Sequence, residues 1–175
     1  SLHSPTVRNQ KPLVKCITRL LPLVTRGESS LIAELLAHFK TYSDFHLYDE
    51  SKHADEAYTF GIECLVAILT SLPPTSALAQ RVKTAANSSG FASAATAYLM
   101  QHLPLSMDAG TQQWSTALAR PALPFVLQLL GGLAKGHAGI LQVLLASKAA
   151  DGTPELMTRL HALERQSSSA SKALG

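Results

Sequence analysis

The chain has 175 residues and a net charge of +3 at pH 7, with 46% hydrophobic and 15% charged residues. This length suits one domain that buries its own core without a disulfide or a metal ion. The scattered lysines and arginines do not indicate a nucleic-acid interface, and two cysteines without paired spacing, Cys16 and Cys64, cannot build a cysteine-based zinc site.

Helical periodicity begins in the first quarter of the chain. Residues 1–11 lack it and are predicted as a flexible lead-in. A first helix is predicted from Pro12, kinked or shortened at Pro22 and closed by Gly27, because proline is tolerated in the first turn and glycine ends helices. Apolar residues at helical spacing predict a second helix over residues 31–39.

A loop with three aromatic residues is predicted over residues 41–52. Tyr42, Phe45 and Tyr48 alternate there with acidic residues. They either form an exposed recognition loop or anchor the loop to the first two helices. Anchoring is favoured, because three exposed aromatic side chains reduce solubility.

Seven further helices are predicted downstream, each bounded by proline, glycine or a capping residue. Pro154 is placed at the first position of the last helix, and the Ser/Ala-rich tail over residues 166–175 is predicted to be loosely ordered. The predicted helices cover residues 54–72, from Thr75 or Ser76 to the break at 87–90, 91–103, 111–119, from Pro121 to about Leu133, 137–148, and 154–165.

The helix that starts at Pro121 is apolar almost all round, so we expect it at the centre of the core. Leu130 is a predicted core residue of this helix. Gly131 and Gly132 lie in the same helix and indicate close packing against a neighbouring helix.

No segment alternates at period two for long enough to be a strand. Eight or nine helices joined by short breaks predict an all-α, armadillo/HEAT-like fold of stacked helical hairpins, with a compact multi-helix bundle as the alternative. The predicted domain covers residues 12–165. The most apolar window, residues 118–134, is interrupted by Arg120 and two prolines, so no membrane span is expected, and the predicted location is cytoplasmic or also nuclear.

The sequence carries no recognisable catalytic motif. It has no HExxH zinc motif, no phosphate-binding loop and no nucleophile elbow. His46, Asp49, Glu50 and His53 have a spacing that could hold a metal ion, but a solvated loop explains them better. His137 follows a glycine at a helix break and is expected to bind a backbone group at a helix end.

Several segments together carry a family resemblance. They are LLPLVTRGE at 20–28, LAHFKTY at 36–42 with Phe45, Tyr48 and Asp49, RPALPFVL at 120–127 with Leu130, GLA at 132–134, Gly136 and His137, and LHALE at 160–164. In this order the chain, over residues 13–164, resembles the C-terminal helical region of the giant N-recognin (UBR-family) E3 ubiquitin ligases, the plant BIG, fly pushover and mammalian retinoblastoma-associated type. The family tends to have Arg at the position of Gly131.

The resemblance implies a non-catalytic scaffold domain within a very large E3 ubiquitin-protein ligase of the N-degron pathway. Such a domain supports the adjacent zinc/E2-engaging module. Its partners are other domains of the parent, with the E2 enzyme or substrate proteins as further contacts. Zinc is expected only in neighbouring modules, and no catalytic, cofactor-binding or metal residue carries over. The alternative is a stand-alone helical adaptor unrelated to ubiquitin.

The candidate scaffold and interaction residues lie in the segments that carry the resemblance. They are His38, Phe39, Tyr42, Phe45, Tyr48, Asp49, Arg120, Pro121, Pro124, Gly132 and His137.

Overall fold

The computed structural model describes residues 33, 37, 39–40, 43–50, 69, 72–148 and 150–174. In these residues seven helices have defined bounds, and no strand occurs beyond one isolated antiparallel bridge between Lys148 and Pro154. The helices are α1 (Phe45–Glu50), α2 (Ala77–Ser88), α3 (Phe91–His102), α4 (Thr111–Leu118), α5 (Leu123–Ala134), α6 (Ala138–Leu145) and α7 (Glu155–Leu174). The prediction of an all-α fold of packed helices is confirmed.

Capping residues set several helix ends where the sequence predicts them. Ser76 is the N-cap of α2, and its side chain accepts a hydrogen bond from the Ala79 N–H at 3.1 Å. Gly90 follows α2 with a φ of 80°, a conformation that glycine adopts without strain, and α3 starts at the next residue. The predicted α2–α3 boundary is therefore confirmed.

Helix α3 lies at the centre of the described structure and packs against α1, α2, α5, α6 and α7. Its buried small residues, Ala92 and Ala95, allow neighbouring helices to approach closely, while Phe91, Tyr98 and Leu99 fill the space between them. Each large apolar side chain buried in this way stabilises the fold by roughly 1.5–3 kcal/mol.

The prediction that the helix after Pro121 belongs to the core is confirmed for one face of α5. Five of its residues, including the predicted core residue Leu130, are buried, whereas Pro124, Gln128 and Gly131 are exposed. A Cβ added at Gly131 would meet no described atom within 4 Å, so this glycine does not serve close packing against a described helix. A largely apolar composition does not show which side of a helix is covered.

Three predicted boundaries also need correction. Helix α5 begins at Leu123, so Pro124 rather than Pro121 occupies the first turn. Helix α6 ends at Leu145, three residues before the predicted end. Helix α7 starts one residue after Pro154. It continues to Leu174, through the segment predicted as a loosely ordered tail, because residues 166–174 contain no proline or glycine that would end a helix.

The predicted loop at residues 41–52 contains a helix, α1. The Asp44 carboxylate accepts a hydrogen bond from the His46 N–H at 3.1 Å, which is the contact that an N-cap side chain makes. Phe45 and Tyr48, three residues apart, lie on the buried side of the helix. The cap and one i, i+3 aromatic pair are enough to form this short helix on a packed surface.

The remaining predictions on the first part of the chain lie largely outside the described residues. These are the helix from Pro12, most of the helices over residues 31–39 and 54–72, and both cysteines. Residues 33, 37, 39, 40 and 69 are helical, and Phe39 and Leu69 are buried. The domain boundaries at residues 12 and 165 stay predictions.

We expect Leu130→Asp to lower the free energy of unfolding by ~4 kcal/mol, because it places an unpaired charge at a buried site of α5. Urea denaturation followed by circular dichroism measures this. Gln128→Asp, on the exposed side of the same helix, is the control and should leave stability nearly unchanged. Equal midpoints for the two variants would contradict the placement of Leu130 in the core.

Candidate functional site

The most connected polar group in the described structure is the carboxylate of Asp49, near the end of α1. Its Oδ2 accepts hydrogen bonds from the Tyr98 hydroxyl at 2.6 Å and from Arg120 NH1 at 3.0 Å. Its Oδ1 accepts a hydrogen bond from the Ala122 N–H at 2.9 Å. We call these four residues the Asp49 cluster. They tie α1 to α3 and to the turn between α4 and α5.

The aromatic residues of α1 hold Asp49 in this place. The Phe45 ring contacts Phe91 and Tyr98, with centroids 5.7 and 5.8 Å apart, and the Tyr48 ring lies 5.1 Å from Phe125. The prediction that the aromatic residues anchor this segment is confirmed for Phe45 and Tyr48. Their described ring partners belong to α3 and α5 rather than to the first two helices.

Burial favours strong interactions within the Asp49 cluster. The Asp49 side chain is 9% exposed and that of Arg120 is 28% exposed, so solvent screens the ion pair only partly. Burial, then the hydrogen bond to Asp49 and the negative charge of that carboxylate, raise the pKa of Tyr98 far above its ordinary value. The phenol therefore stays protonated and donates to Asp49 at any physiological pH.

A histidine pair lies beside the Asp49 cluster. The Nε2 atoms of His46 on α1 and His102 at the end of α3 are 2.9 Å apart, and their ring centroids are 5.0 Å apart. The rings thus meet nearly head on, as in an N–H···N hydrogen bond, where one ring must donate and the other accept. Burial, then the charges of Arg120 and His46, lower the pKa of His102, while Asp49 acts in the opposite direction.

His137 organises a second polar group at the start of α6. Its Nδ1 accepts a hydrogen bond from the Ile140 N–H at 3.1 Å, and its Nε2 lies 3.0 Å from Thr84 Oγ1. Since Nδ1 accepts, Nε2 carries the proton of the neutral ring and donates to Thr84, which donates to the Gln80 carbonyl at 2.8 Å. The prediction that His137 binds a backbone group at a helix end is confirmed.

An open cleft of about 420 Å³ lies where the end of α3, helix α4 and the first turns of α7 meet. We call it the α3–α4–α7 cleft. Arg120 and His102 contribute to its wall, so the cleft borders both the Asp49 cluster and the histidine pair.

The structure brings together only part of the predicted set of site residues. Asp49 and Arg120 are in direct contact, and Phe39, Phe45 and Tyr48 are core residues. Pro121 and Pro124 are exposed in the turn before α5 and in its first turn, Gly132 is half-buried in α5, and His137 lies at the start of α6. His38 and Tyr42 lie outside the described residues, as does His53.

Sequence reasoning missed Tyr98 and His102 as members of this region. Asp49 and Arg120 are 71 residues apart, and His46 and His102 are 56 residues apart, so no local spacing reveals either contact. The helical periodicity of α3 places Tyr98 and His102 one turn apart on one face, and this spacing was the available sequence signal that the two side chains share a site.

Clusters of metal-binding side chains are absent from the described residues. No group of three or more histidine, cysteine, aspartate or glutamate side chains could hold a metal ion in this part of the chain. The Asp49 carboxylate, part of the metal hypothesis, already accepts hydrogen bonds from three donors. None of the helices with defined bounds is alone long and apolar enough to cross a membrane; α4 and α5 pass that test only as a pair bent by 73°.

Comparison with known proteins gives one family. The model of the E3 ubiquitin-protein ligase UBR4 TPR-like domain matches residues 1–173. No solved structure matches the chain.

Curated proteins from three distant organisms are similar to almost the whole chain. A probable E3 ubiquitin-protein ligase of Dictyostelium discoideum is 28% identical over 171 residues, 98% of the chain. The protein purity of essence of Drosophila pseudoobscura pseudoobscura is 24% identical over 168 residues, 94% of the chain. The auxin transport protein BIG of Oryza sativa subsp. japonica is 28% identical over 165 residues, 85% of the chain. The chain spans about 3% of the length of each of these relatives.

We expect Asp49→Asn to lower the free energy of unfolding by about 3 kcal/mol, because the partly buried guanidinium of Arg120 loses its counter-charge while the shape of the Asp49 side chain is kept. Urea denaturation measures the change. Asp108→Asn, an exposed carboxylate in the loop before α4, is the matched control and should have little effect. Equal stabilities of the two variants would show that the Asp49 cluster does not hold the helices together.

We expect the free energy of unfolding to decrease when the pH is lowered, because His102 is harder to protonate in the folded chain than in the unfolded chain. Its pKa is below 6.5 in the folded chain, so the unfolded chain binds the proton first as the pH falls through 6.5. The contribution of His102 is thus present above pH 6.5 and is lost as the pH falls below it, until the folded form is protonated too.

Denaturation midpoints at about pH 7.5 and about pH 5.5 measure this loss. His102→Gln should reduce the difference between the two midpoints. His161→Gln, which changes a side chain that is 70% exposed on α7, should preserve it. A His102→Gln variant with the full pH dependence would contradict this assignment.

Proposed function

The chain belongs to the UBR4 TPR-like domain family, and from this membership we propose that it is a non-catalytic scaffold domain of a very large E3 ubiquitin-protein ligase of the N-degron pathway. It supports an adjacent zinc/E2-engaging module by packing against other domains of the parent. The location that fits this role is cytoplasmic, also nuclear. The alternative is a stand-alone helical adaptor unrelated to ubiquitin.

The observation that carries the proposal is the exposed sides of α5 and α6, which together we call the α5–α6 face. Their exposed residues include Pro124, Gln128 and Gly131 on α5 and Leu141 and Leu145 on α6. Leu141 is 42% and Leu145 is 38% exposed, and they lie one turn apart on α6. Residues 121–134 and 138–147 contain no charged residue, so neither helix offers the charges of an ordinary solvated surface.

The size of the relatives supports an intramolecular partner for this face. The chain covers about 3% of each relative, and one of them is named a probable E3 ubiquitin-protein ligase. A helical domain embedded in so long a polypeptide has flanking domains at high effective concentration. An uncharged face with exposed leucines suits such a permanent contact better than a transient one with a charged partner.

The composition supports a role without chemistry. The zinc modules of such ligases are built largely on cysteine ligands, and the sequence has two cysteines in all, without paired spacing. We therefore place zinc and E2 contacts in neighbouring modules of the parent. The E2 enzyme and substrate proteins remain further proposed partners of the assembled ligase.

Two leucine substitutions test the scaffold role. The purified chain is titrated by calorimetry with the purified remainder of the parent protein. Leu141→Glu/Leu145→Glu should weaken this binding ~tenfold or more, because two charges are placed in an apolar contact. Leu47→Glu/Leu118→Glu, which changes exposed leucines on α1 and α4, is the matched control and should bind as the native chain does.

Each outcome separates the candidate functions. Equal weakening by both pairs of substitutions would reject the α5–α6 face as the contact. Absence of binding by the native chain would favour the stand-alone adaptor. Ubiquitin conjugates formed by the chain alone with E1, E2 and ubiquitin would overturn the non-catalytic reading.

A further inference from the structure

The α3–α4–α7 cleft has a lining that neither the Asp49 cluster nor the scaffold role explains. Its side chains include three glutamines, Gln101, Gln112 and Gln113, together with Thr116 and two arginines. None of the described residues that line it carries a carboxylate. The cleft is therefore rich in hydrogen-bonding groups and has a weakly positive character.

The glutamines are available for a ligand. Gln112 and Gln113 lie in the first turn of α4 and Gln101 lies in the last turn of α3, and all three are exposed. Their amide groups make no hydrogen bond to any described residue, and each amide offers both donors and an acceptor. An extended polypeptide presents the complementary pattern, with alternating N–H and C=O groups along its main chain.

The two arginines differ in how many of their guanidinium nitrogens already donate hydrogen bonds. Arg159 donates to Glu155 through Nε and NH2 and to the Leu103 carbonyl through NH1, so all its nitrogens are engaged. Arg120 donates through NH1 to Asp49 and lies close enough to the Tyr98 hydroxyl to act on its pKa, while Nε and NH2 donate no hydrogen bond within the described part of the chain. One guanidinium edge is thus free to meet a carboxylate.

We propose that the α3–α4–α7 cleft binds a short extended peptide segment with an acidic side chain. The glutamine amides bind the peptide main chain and the free edge of Arg120 binds the carboxylate. The cleft is already held in shape by the Arg159 contacts to α3 and α7, so binding requires little rearrangement of the protein.

The charges favour a peptide over a nucleic acid. Both arginines of the cleft are paired with a carboxylate, Asp49 or Glu155, and its described lining contains no lysine. Binding of a polyphosphate backbone requires several unpaired cations that replace its counterions. One free guanidinium edge beside neutral amides matches one acidic side chain on a peptide.

Fluorescence anisotropy with the 175-residue chain tests this proposal. The probes are a fluorescein-labelled octapeptide of alternating alanine and glutamate, the same peptide with glutamine in place of glutamate, and a labelled single-stranded oligothymidylate. The glutamate peptide should bind ~tenfold more tightly than the glutamine peptide, as a charge-assisted hydrogen bond provides.

A matched pair of variants locates the binding. Gln112→Glu/Gln113→Glu places two carboxylates in the cleft and should weaken binding of the glutamate peptide ~tenfold. Gln128→Glu/Gln142→Glu makes the same charge change on exposed positions of α5 and α6 and should leave binding nearly unchanged. All four residues are exposed, so both variants keep the core intact.

Three outcomes would overturn the proposal. These are no binding of the glutamate peptide, equal weakening by the two pairs of substitutions, and tighter binding of oligothymidylate than of the peptide. Since the assay measures peptide binding to the chain alone, without the rest of the parent ligase, its failure would leave the scaffold role untouched.

Discussion

The described structure depends on one buried carboxylate. The carboxylate of Asp49 is largely removed from water, and this is tolerated because a phenol, a guanidinium and a backbone N–H donate hydrogen bonds to its oxygens. The three donors come from α3 and from the turn that leads into α5. The positions of α1, α3 and α5 are therefore fixed by a single group whose loss would leave Arg120 unpaired in a partly buried site.

Apolar packing determines where this carboxylate can lie. Phe45 and Tyr48 fit between α3 and α5, and the short α1 turns Asp49 toward the centre of the molecule. Helix α3 accepts so many neighbours because small residues form much of its surface. The polar cluster gives one specific arrangement to a core that leucine and alanine alone would define loosely.

Local signals in the sequence were sufficient for much of the fold but not for the site. Ser76, Gly90 and His137 act at helix ends through contacts within a few residues, so their roles were predictable. The partners of Asp49 are between 49 and 73 residues away, and no periodicity encodes them. The sequence did not predict helix α1, because six residues are too few to show a helical period. It did not predict the exposed side of α5, because that helix is apolar apart from Gln128.

Arg120 connects the stable part of the molecule with the proposed binding cleft. One nitrogen of its guanidinium is bound by Asp49, and the same side chain lines the cleft. A surface arginine would lose side-chain entropy when it binds a carboxylate, whereas this one is ordered before a ligand arrives. The Asp49–Arg120 ion pair thus has a second consequence in the proposed peptide complex, besides holding the helices together. It orders the Arg120 side chain in advance, which reduces the conformational entropy lost when Arg120 binds a peptide carboxylate.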